Sequence, residues 1–237
     1  MTDAMNPLWA DLAVRAKRSL TEAQGALLSR YLDLLLEANK TMNLTRITDR
    51  AQAEVQHIAD ALTLLPFLPT GRLSIADIGS GGGVPGIPLA IALPDARILL
   101  IESTKKKATF LRSAVKALEL KNVEVEDKRV EELGHGGRRG KFDVVTARAV
   151  GVLPWLIEWG IPLVRKGGWV LAMKGVRSQD EVTLSKRACR LLHAAEPTIE
   201  PAPLPGSEGH VVVRIVKLGP TSATYPRGPT ATQGKHL

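Results

Sequence analysis

The segment from Ile75 to Gly86 (IADIGSGGGVPG) constrains the fold of this chain more than any other part of the sequence. A short apolar run leads into Asp77, then into a loop with four glycines in five residues, and then into a helical pattern. A glycine-rich turn between a strand and a helix lets backbone N–H groups approach a ligand closely. The pattern therefore predicts a strand–loop–helix unit with a ligand site over the loop.

Two ligand classes fit this loop. The G-x-G-x-x-G pattern of dinucleotide-binding proteins is met at Gly81, Gly83 and Gly86. Glu102 follows about 20 residues on, where such proteins carry a ribose-binding acid. The frame Asp77-x-Gly79-x-Gly81 instead resembles the first motif of class I S-adenosylmethionine-dependent methyltransferases. An acid just before the first glycine favours the methyltransferase, and a dinucleotide-dependent oxidoreductase remains the alternative.

The 237 residues fit one α/β domain with two appendages. We expect an N-terminal helical extension or lid over residues 1–70, a Rossmann-like methyltransferase domain over 71–218, and a disordered tail over 219–237. Alternating strand and helix patterns predict a doubly wound, mostly parallel, seven-stranded sheet. The predicted strands are 73–78, 97–102, 122–127, 142–147, 168–174, 199–204 and 210–218. A third helix of the extension is predicted from Asp49 to the residue before Pro66.

The positive charge lies mainly in the half of the chain that carries the loop. Residues 71–180 hold 18 basic and 12 acidic side chains, whereas residues 1–70 hold 7 and 8. A basic catalytic domain indicates a polyanionic partner such as RNA. The sequence shows no apolar run of bilayer length, no signal-peptide pattern and one cysteine, Cys189. We therefore expect a monomeric cytoplasmic protein that does not bind membranes.

The predicted strands end in residues that suit a nucleoside-type cofactor, because the carboxyl ends of parallel strands meet at one edge of the sheet. The Glu102 carboxylate can accept hydrogen bonds from both ribose hydroxyls, and Val130 can lie against an adenine. Arg148 and Lys174 follow two further strands and are expected to converge at the cofactor mouth. No Cys/His cluster suggests a metal, so none is expected.

Taken together, the motifs resemble those of one family, the bacterial 16S ribosomal RNA guanine-N7 methyltransferases, once named for glucose-inhibited division protein B. The matching segments cover roughly residues 20–218. They are Asn43-Leu44-Thr45, His57-Ile58-Ala59-Asp60, the loop from Asp77 to Pro88, Glu102-Ser103, Lys106-Lys107, Phe110-Leu111-Arg112, Arg129-Val130-Glu131-Glu132, Phe142-Asp143, Arg148-Ala149 and Lys174-Gly175. One departure is Gly209 before His210, where the family often has an arginine.

The loop pattern and the resemblance imply three sets of site residues. The cofactor S-adenosylmethionine is assigned to Asp77, Gly79, Ser80, Gly81, Gly83, Val84, Glu102, Ser103, Val130, Glu131 and Arg148. Catalytic roles are assigned to Arg148, Arg129 and Lys174. Contacts to the RNA of the small ribosomal subunit are assigned to Lys105, Lys106, Lys107, Arg112, Arg138 and Arg139, the last two in a mobile basic loop. His57 and Asp60, three residues apart on one helix face, fit either a brace for the extension or a role in the reaction.

The resemblance implies in-line methyl transfer to guanine N7, which carries no proton and needs no general base. Because A-form RNA hides N7 in a narrow groove, the target guanine is expected to be unpaired or splayed out. Trp155 and Trp159 are interpreted as core residues and not as base-stacking platforms. A small-molecule methyltransferase and a non-enzymatic RNA-binding module are the other hypotheses.

Overall fold

The computed structural model describes residues 5–175, 178–202, 204–206, 208–228 and 236–237. The strands are β1 (Ser74–Ile78), β2 (Arg97–Ile101), β3 (Val123–Glu126), β4 (Phe142–Arg148), β5 (Val164–Lys174), β6 (Thr198–Pro201) and β7 (Val211–Val216). Within the described residues they form a seven-stranded sheet of order β3-β2-β1-β4-β5-β7-β6. Strands β1 to β5 are parallel, and β7 pairs antiparallel with both of its neighbours. The predicted mostly parallel sheet is confirmed.

The helices lie before the sheet in sequence and between its strands. They are α1 (Pro7–Arg15), α2 (Glu22–Met42), α3 (Arg50–Ala53), α4 (Asp60–Leu62), α5 (Gly86–Ala92), α6 (Lys105–Ala117), α7 (Val130–His135), α8 (Leu153–Leu163) and α9 (Ser178–Leu192). A 3₁₀ turn covers Leu65–Phe67. Among the described helices, none combines the length and apolar character needed to cross a membrane.

Both faces of the sheet are buried, as expected for parallel strands flanked by helices. One core contains Ile75, Leu100 and Val144 from the strands, together with side chains of α2, α5 and α6. The other core contains the alternate strand residues, such as Ala76 and Val145, together with side chains of α7, α8 and α9. Residues that alternate along a strand point to opposite faces, so one set of strands supplies both cores.

The third helix of the extension is not a regular α-helix. A π-helical turn over Glu54–Ala59 separates α3 from α4, a feature that the sequence prediction missed. The indole N–H of Trp9 donates to the Glu54 carbonyl at 3.0 Å, so α1 supports the start of this turn. Single π-helical turns occur frequently at functional sites, and this turn contains His57 and directly precedes Asp60.

The first part of the tail is ordered against the domain, contrary to the expected disorder. The guanidinium of Arg139 donates to the carbonyls of Thr221, Ser222 and Tyr225 at 2.7 to 2.9 Å. Further along, Arg227 pairs with the fully buried Glu158 of α8 at 2.7 Å. These charge-assisted hydrogen bonds fix the segment to the domain, although its composition, rich in Pro, Gly and Thr, is typical of disorder. The remainder of the predicted tail, 229–235, lies outside the described residues.

Candidate active site

The glycine loop leaves β1 and turns over the carboxyl end of β2. The N–H groups of Gly79 and Ser80 share one carbonyl acceptor there, at 2.8 and 3.1 Å. Gly79 has a φ of +66°, and a Cβ at this position would lie 2.8 Å from Val150 Cγ2. Gly83 has a φ of +104°, and a Cβ there would lie 2.6 Å from Ile87 Cδ1. Backbone conformation and crowding therefore both require glycine at these two positions.

Asp77 lies beneath the loop and not in a cavity. It is fully buried, with Oδ1 accepting from the Thr146 hydroxyl at 2.9 Å and Oδ2 accepting from the Gly86 N–H at 3.3 Å. Burial raises the pKa of Asp77 to about 7, against the opposing effect of these hydrogen bonds. Asp77 therefore braces the loop from below, which corrects the predicted cofactor contact. Gly83, also assigned to the cofactor, is buried against α5 in the same way.

Glu102 is held in a fixed orientation at the end of β2. Its side chain is buried, with Oε2 accepting from the Gly81 N–H at 3.0 Å and Oε1 accepting from the Thr104 N–H at 2.8 Å. A carboxylate oxygen can accept two hydrogen bonds. Each oxygen of Glu102 therefore keeps acceptor capacity for one hydroxyl of a vicinal diol.

The first of three adjoining cavities lies above the ends of β1 and β2 and has a volume of about 160 Å³. Its apolar wall is formed by Ile78, Ile101, Val130, Val150 and Trp159, and its polar wall includes Glu102, Ser103, Arg129 and Glu131. An apolar slot beside a fixed carboxylate suits a flat heterocycle joined to a sugar. The predicted cofactor residues of this region therefore come together here. Trp159 belongs to the cavity wall, so its interpretation as a core residue was incomplete.

The central cavity adjoins the first at Gly79 and has a volume of about 630 Å³. Its floor is the loop, with Ser80, Gly81 and Val84, and its other side consists of residues of the extension, among them Leu44 and Gln56. Arg46, Lys107 and Arg148 line it, and no carboxylate belongs to its described lining. Arg148 pairs with Asp60 outside this lining, whereas Arg46 and Lys107 make no ion pair with the described residues, so the cavity favours an anionic ligand.

Arg148 ties β4 to the π-helical turn of the extension. Its Nε lies 2.8 Å from Asp60 Oδ2, and its Nη2 donates to the Gln56 carbonyl at 2.7 Å. Its Nη1 lies 3.3 Å from Nδ1 of His57. Burial, together with this guanidinium, lowers the pKa of His57 to about 4, so the imidazole is neutral at pH 7. His57 and Asp60 therefore brace the extension and hold Arg148 at the same time.

The third cavity adjoins the central one at Gln56, Arg148 and Ala149 and has a volume of about 410 Å³. Lys174 and His210 also line it. The Lys174 ammonium donates to the Gly151 carbonyl at 2.5 Å and lies 2.8 Å from Glu181 Oε2. Arg148 and Lys174 thus lie at one cavity, as the strand order predicted. Within the described residues, no group of His, Cys, Asp and Glu is arranged to hold a metal ion.

Of the three lysines at the start of α6, one lines the central cavity. Lys107 lines it, and Lys106 donates to the Thr41 carbonyl at the end of α2, 3.3 Å away. Lys105 is exposed, as is Arg129 before α7. The contacts of these lysines with RNA therefore stay predictions.

The other basic residues assigned to RNA have partners within the protein. Arg112 pairs with Asp127 at 3.1 Å, and Arg138 pairs with Glu124 and, at 3.2 Å, with Glu126. Arg139 anchors the tail through the carbonyls described above and also through that of Gly134. The predicted mobile basic loop is therefore wrong for Arg139, because carbonyls of its own chain satisfy the guanidinium.

Sequence reasoning missed two contacts from the extension. The Tyr31 hydroxyl donates to the Gly82 carbonyl at 2.8 Å, and burial raises the pKa of this phenol. The backbone carbonyl of Gln56 accepts a hydrogen bond from Arg148. Any residue type has such a carbonyl, so the sequence does not reveal this contact. Both contacts join segments far apart in sequence, so local patterns carry no sign of them.

The fold and the site together define a class I S-adenosylmethionine-dependent methyltransferase. The sheet and its helices superpose on a SAM-dependent methyltransferase from Aquifex aeolicus with a TM-score of 0.57, at 11% identity, over 74% of this chain and 97% of that one. The model of the GidB family, described as rRNA small subunit methyltransferase G, matches residues 24–203. The chain belongs to this family.

Two curated relatives carry the name ribosomal RNA small subunit methyltransferase G. The protein from Chloroflexus aggregans is 42% identical over 209 residues, which are 88% of each chain. The protein from Sorangium cellulosum is 49% identical over 166 residues, which are 69% of this chain and 70% of that one. The identity thus extends well beyond the glycine loop.

The residues present fit S-adenosylmethionine. The first cavity offers an apolar slot for an adenine and the fixed Glu102 for the ribose, and the central cavity offers the loop backbone at Gly79 and Gly81. Gly79 lies where the two cavities meet, which leaves room for a ligand to pass close to the backbone. Arg148 and Val84 then lie toward the amino-acid end of the ligand.

Replacing Gly79 by alanine is expected to weaken S-adenosylmethionine binding at least about tenfold and to destabilise the fold by about 2 kcal/mol. The added Cβ meets Val150 and narrows the junction of the two cavities. Gly140 is a matched control, since it has a φ of +65° with nothing within 4 Å of its Cβ position. Calorimetric titration and urea unfolding of G79A and G140A measure both effects. Equal cofactor affinity in the two variants would contradict the assignment.

The Asp77→Asn variant is expected to remove a pH dependence of stability. The folded state holds the Asp77 proton more tightly than the unfolded chain, so stability falls as pH rises from about 4 to about 7. The free energy of unfolding of the wild type, relative to D77N, should therefore fall by about 2 kcal/mol between pH 5 and pH 7. Urea unfolding at several pH values measures it, and parallel curves for the two proteins would refute the prediction.

Proposed function

We propose that this protein transfers the methyl group of S-adenosylmethionine to N7 of a guanine in the 16S RNA of the small ribosomal subunit. The observation that carries this proposal is the central cavity, where Arg46, Lys107 and Arg148 face a cofactor cleft and no described lining residue is acidic. Such a cavity attracts a phosphate-bearing substrate. Family membership supports ribosomal RNA as that substrate.

The cofactor, when bound, supplies an electrophilic methyl group on a sulfonium centre. Glu102 accepts hydrogen bonds from the ribose hydroxyls, while Val130 and Glu131 position the adenine in the first cavity. The loop at Gly79 and Gly81 allows close approach of the amino-acid part. These residues fix the direction in which the methyl group faces the central cavity, and orientation of this kind contributes much of the rate in a two-substrate reaction.

The methyl transfer needs no general acid or general base from the protein. The N7 lone pair forms the new bond to carbon while the carbon–sulfur bond electrons return to sulfur, and no proton leaves the base. The positive charge moves from sulfur to the guanine ring. The neutral His57 adds no charge near this path, and Arg148 is held by Asp60 and by a backbone carbonyl. Arg148 is thus placed to orient a phosphate or base oxygen at the site.

The lysines at the start of α6 are proposed to hold the RNA backbone beside the site. Lys107 lines the central cavity and is placed to contact a phosphate there, while the exposed Lys105, two residues earlier on α6, projects from a different face of the helix and would contact another part of the RNA. Contacts of this kind give affinity without sequence specificity. A guanine splayed out of its helix can then enter the cleft.

Methyl-labelled S-adenosylmethionine and small ribosomal subunits from cells that lack this enzyme test the substrate class. We expect label in the extracted 16S RNA, with none in an equal amount of free guanosine or GTP. Small subunits from wild-type cells, already methylated, serve as the control and should accept little label. If S-adenosylmethionine binds but no label enters the RNA, the assignment of ribosomal RNA as substrate is wrong. That result would favour a methyltransferase that acts on a small molecule.

A further inference from the structure

Asp60 and His210 form a pair in the wall of the third cavity. Asp60 is 3% exposed, and its Oδ1 lies 3.2 Å from Nδ1 of His210. The other carboxylate oxygen of Asp60 contacts Arg148 Nε. Within the described part of the chain, neither Asp60 Oδ1 nor His210 Nδ1 makes a hydrogen bond that satisfies distance and angle. The contact between the two atoms is therefore a short electrostatic one without hydrogen-bond alignment, and neither atom has another hydrogen-bond partner among the described residues.

The contact with Asp60 determines which ring nitrogen of His210 is available to form a hydrogen bond with a ligand. A carboxylate facing Nδ1 favours the tautomer that carries its proton there. In the neutral ring with this tautomer, Nε2 keeps a lone pair and acts as an acceptor. The Nδ1 atom is buried, the side chain is 19% exposed, and His210 lines the cavity. Nε2 is therefore the ring nitrogen able to meet a molecule in the cavity.

We propose that the third cavity receives the target guanine and that His210 Nε2 accepts a hydrogen bond from guanine N1–H. This inference rests on the proposed function. Guanine carries a hydrogen at N1, whereas adenine has an unprotonated nitrogen there, so an acceptor at this place selects guanine. His210 lines the third cavity but not the central one. N1 lies on the Watson–Crick edge of guanine and N7 on the adjoining Hoogsteen edge, with O6 between them, so a contact to N1 leaves the N7 lone pair free to face the central cavity.

The same hydrogen bond both selects guanine over adenine and stabilises the transition state of methyl transfer. As N7 gains a methyl group, the ring becomes positively charged and its N1–H becomes a stronger donor. The bond to His210 therefore strengthens along the reaction path, and only interactions that strengthen in the transition state raise the rate. Asp60 acts here as a positioning residue, because its two carboxylate oxygens lie against His210 and Arg148.

Two substitutions of His210 separate the role of each ring nitrogen. In His210→Asn, the amide can still donate to Asp60 but offers nothing at the place of Nε2. In His210→Gln, the longer side chain brings an amide oxygen near the place of Nε2 but loses the contact with Asp60. We expect H210N to lower kcat at least about thirtyfold and H210Q to lower it less than tenfold, with the affinity for S-adenosylmethionine unchanged in both. Melting curves establish that each variant is folded.

Each outcome of this comparison bears on the inference. Activity of H210N near that of the wild type overturns it, as does the reverse order, which would make the contact with Asp60 the only function of the ring. Equal losses in the two variants also overturn it, because the acceptor at Nε2 then has no separate effect. The failure of the proposed function looks different, since the wild-type protein itself would then leave 16S RNA unlabelled.

Discussion

Replacing Arg148 by alanine is expected to lower the rate of methyl transfer at least about a hundredfold, the usual scale for losing one positioned charged donor in an active site. Arg148 lines both the central and the third cavity, so it faces the region where cofactor and base meet. Its guanidinium contacts Gln56 and His57 of the π-helical turn and Asp60 directly after it, so no other cation of the site can take its place without moving that segment.

The single variant also disturbs stability, and a second variant separates the two effects. Arg148→Ala leaves the buried Asp60 carboxylate without its guanidinium partner, and removing one member of a buried pair costs about 3 to 5 kcal/mol. The double variant R148A/D60N removes the uncompensated charge and should regain most of that stability. We expect its transfer rate to stay as low as in R148A and well below that of D60N alone, which removes the Asp60 charge but keeps Arg148. A double variant as fast as D60N on small subunits would show that Arg148 has a structural role only.

Glu102→Gln is expected to weaken S-adenosylmethionine binding by about tenfold to a hundredfold, as expected for losing charge-assisted hydrogen bonds. Each carboxylate oxygen accepts one hydrogen bond from a backbone N–H group and offers its remaining lone pair to a ribose hydroxyl. An amide of the same shape places an NH₂ group against one of those N–H donors. It therefore loses a ribose acceptor and strains the loop at Gly81.

Glu132 provides the matched control for this substitution. It lies on α7 near the same cavity, is exposed, and does not line the cavity. Calorimetric titration of E102Q and E132Q with S-adenosylhomocysteine, the demethylated product, measures binding without turnover. Only E102Q should lose affinity. A normal dissociation constant for E102Q would remove Glu102 from the ribose site.

The sheet and the position of the site could be predicted because the signals are local. Alternating apolar strands and helices specify the topology, and the carboxyl ends of parallel strands bring Glu102, Arg148 and Lys174 to one edge. The spacing of the glycines placed the loop between a strand and a helix, and the acid Asp77 before the first glycine favoured the methyltransferase over the dinucleotide-binding class. Even so, the spacing did not distinguish Asp77, which braces the loop from below, from residues that face the ligand.

The remaining features depend on contacts between distant segments. The pairing of Asp60 with both Arg148 and His210 joins three parts of the chain, and no periodic pattern encodes it. The order of the tail depends in the same way on Arg139, whose basic, glycine-flanked neighbourhood has the composition of a mobile loop. Composition reports the average tendency of a segment, whereas a buried or multiply bonded arginine is decided by what packs against it.

Chemical cleavage at N7-methylguanine tests the central claim most directly. Small subunits from cells that lack the enzyme are incubated with the purified protein and S-adenosylmethionine, and the extracted 16S RNA is then treated with borohydride and aniline, which break the chain at N7-methylguanine. We predict one new cleavage site that is absent without cofactor and absent with R148A/D60N. Methyl label in the RNA without any new cleavage would contradict N7 as the acceptor atom.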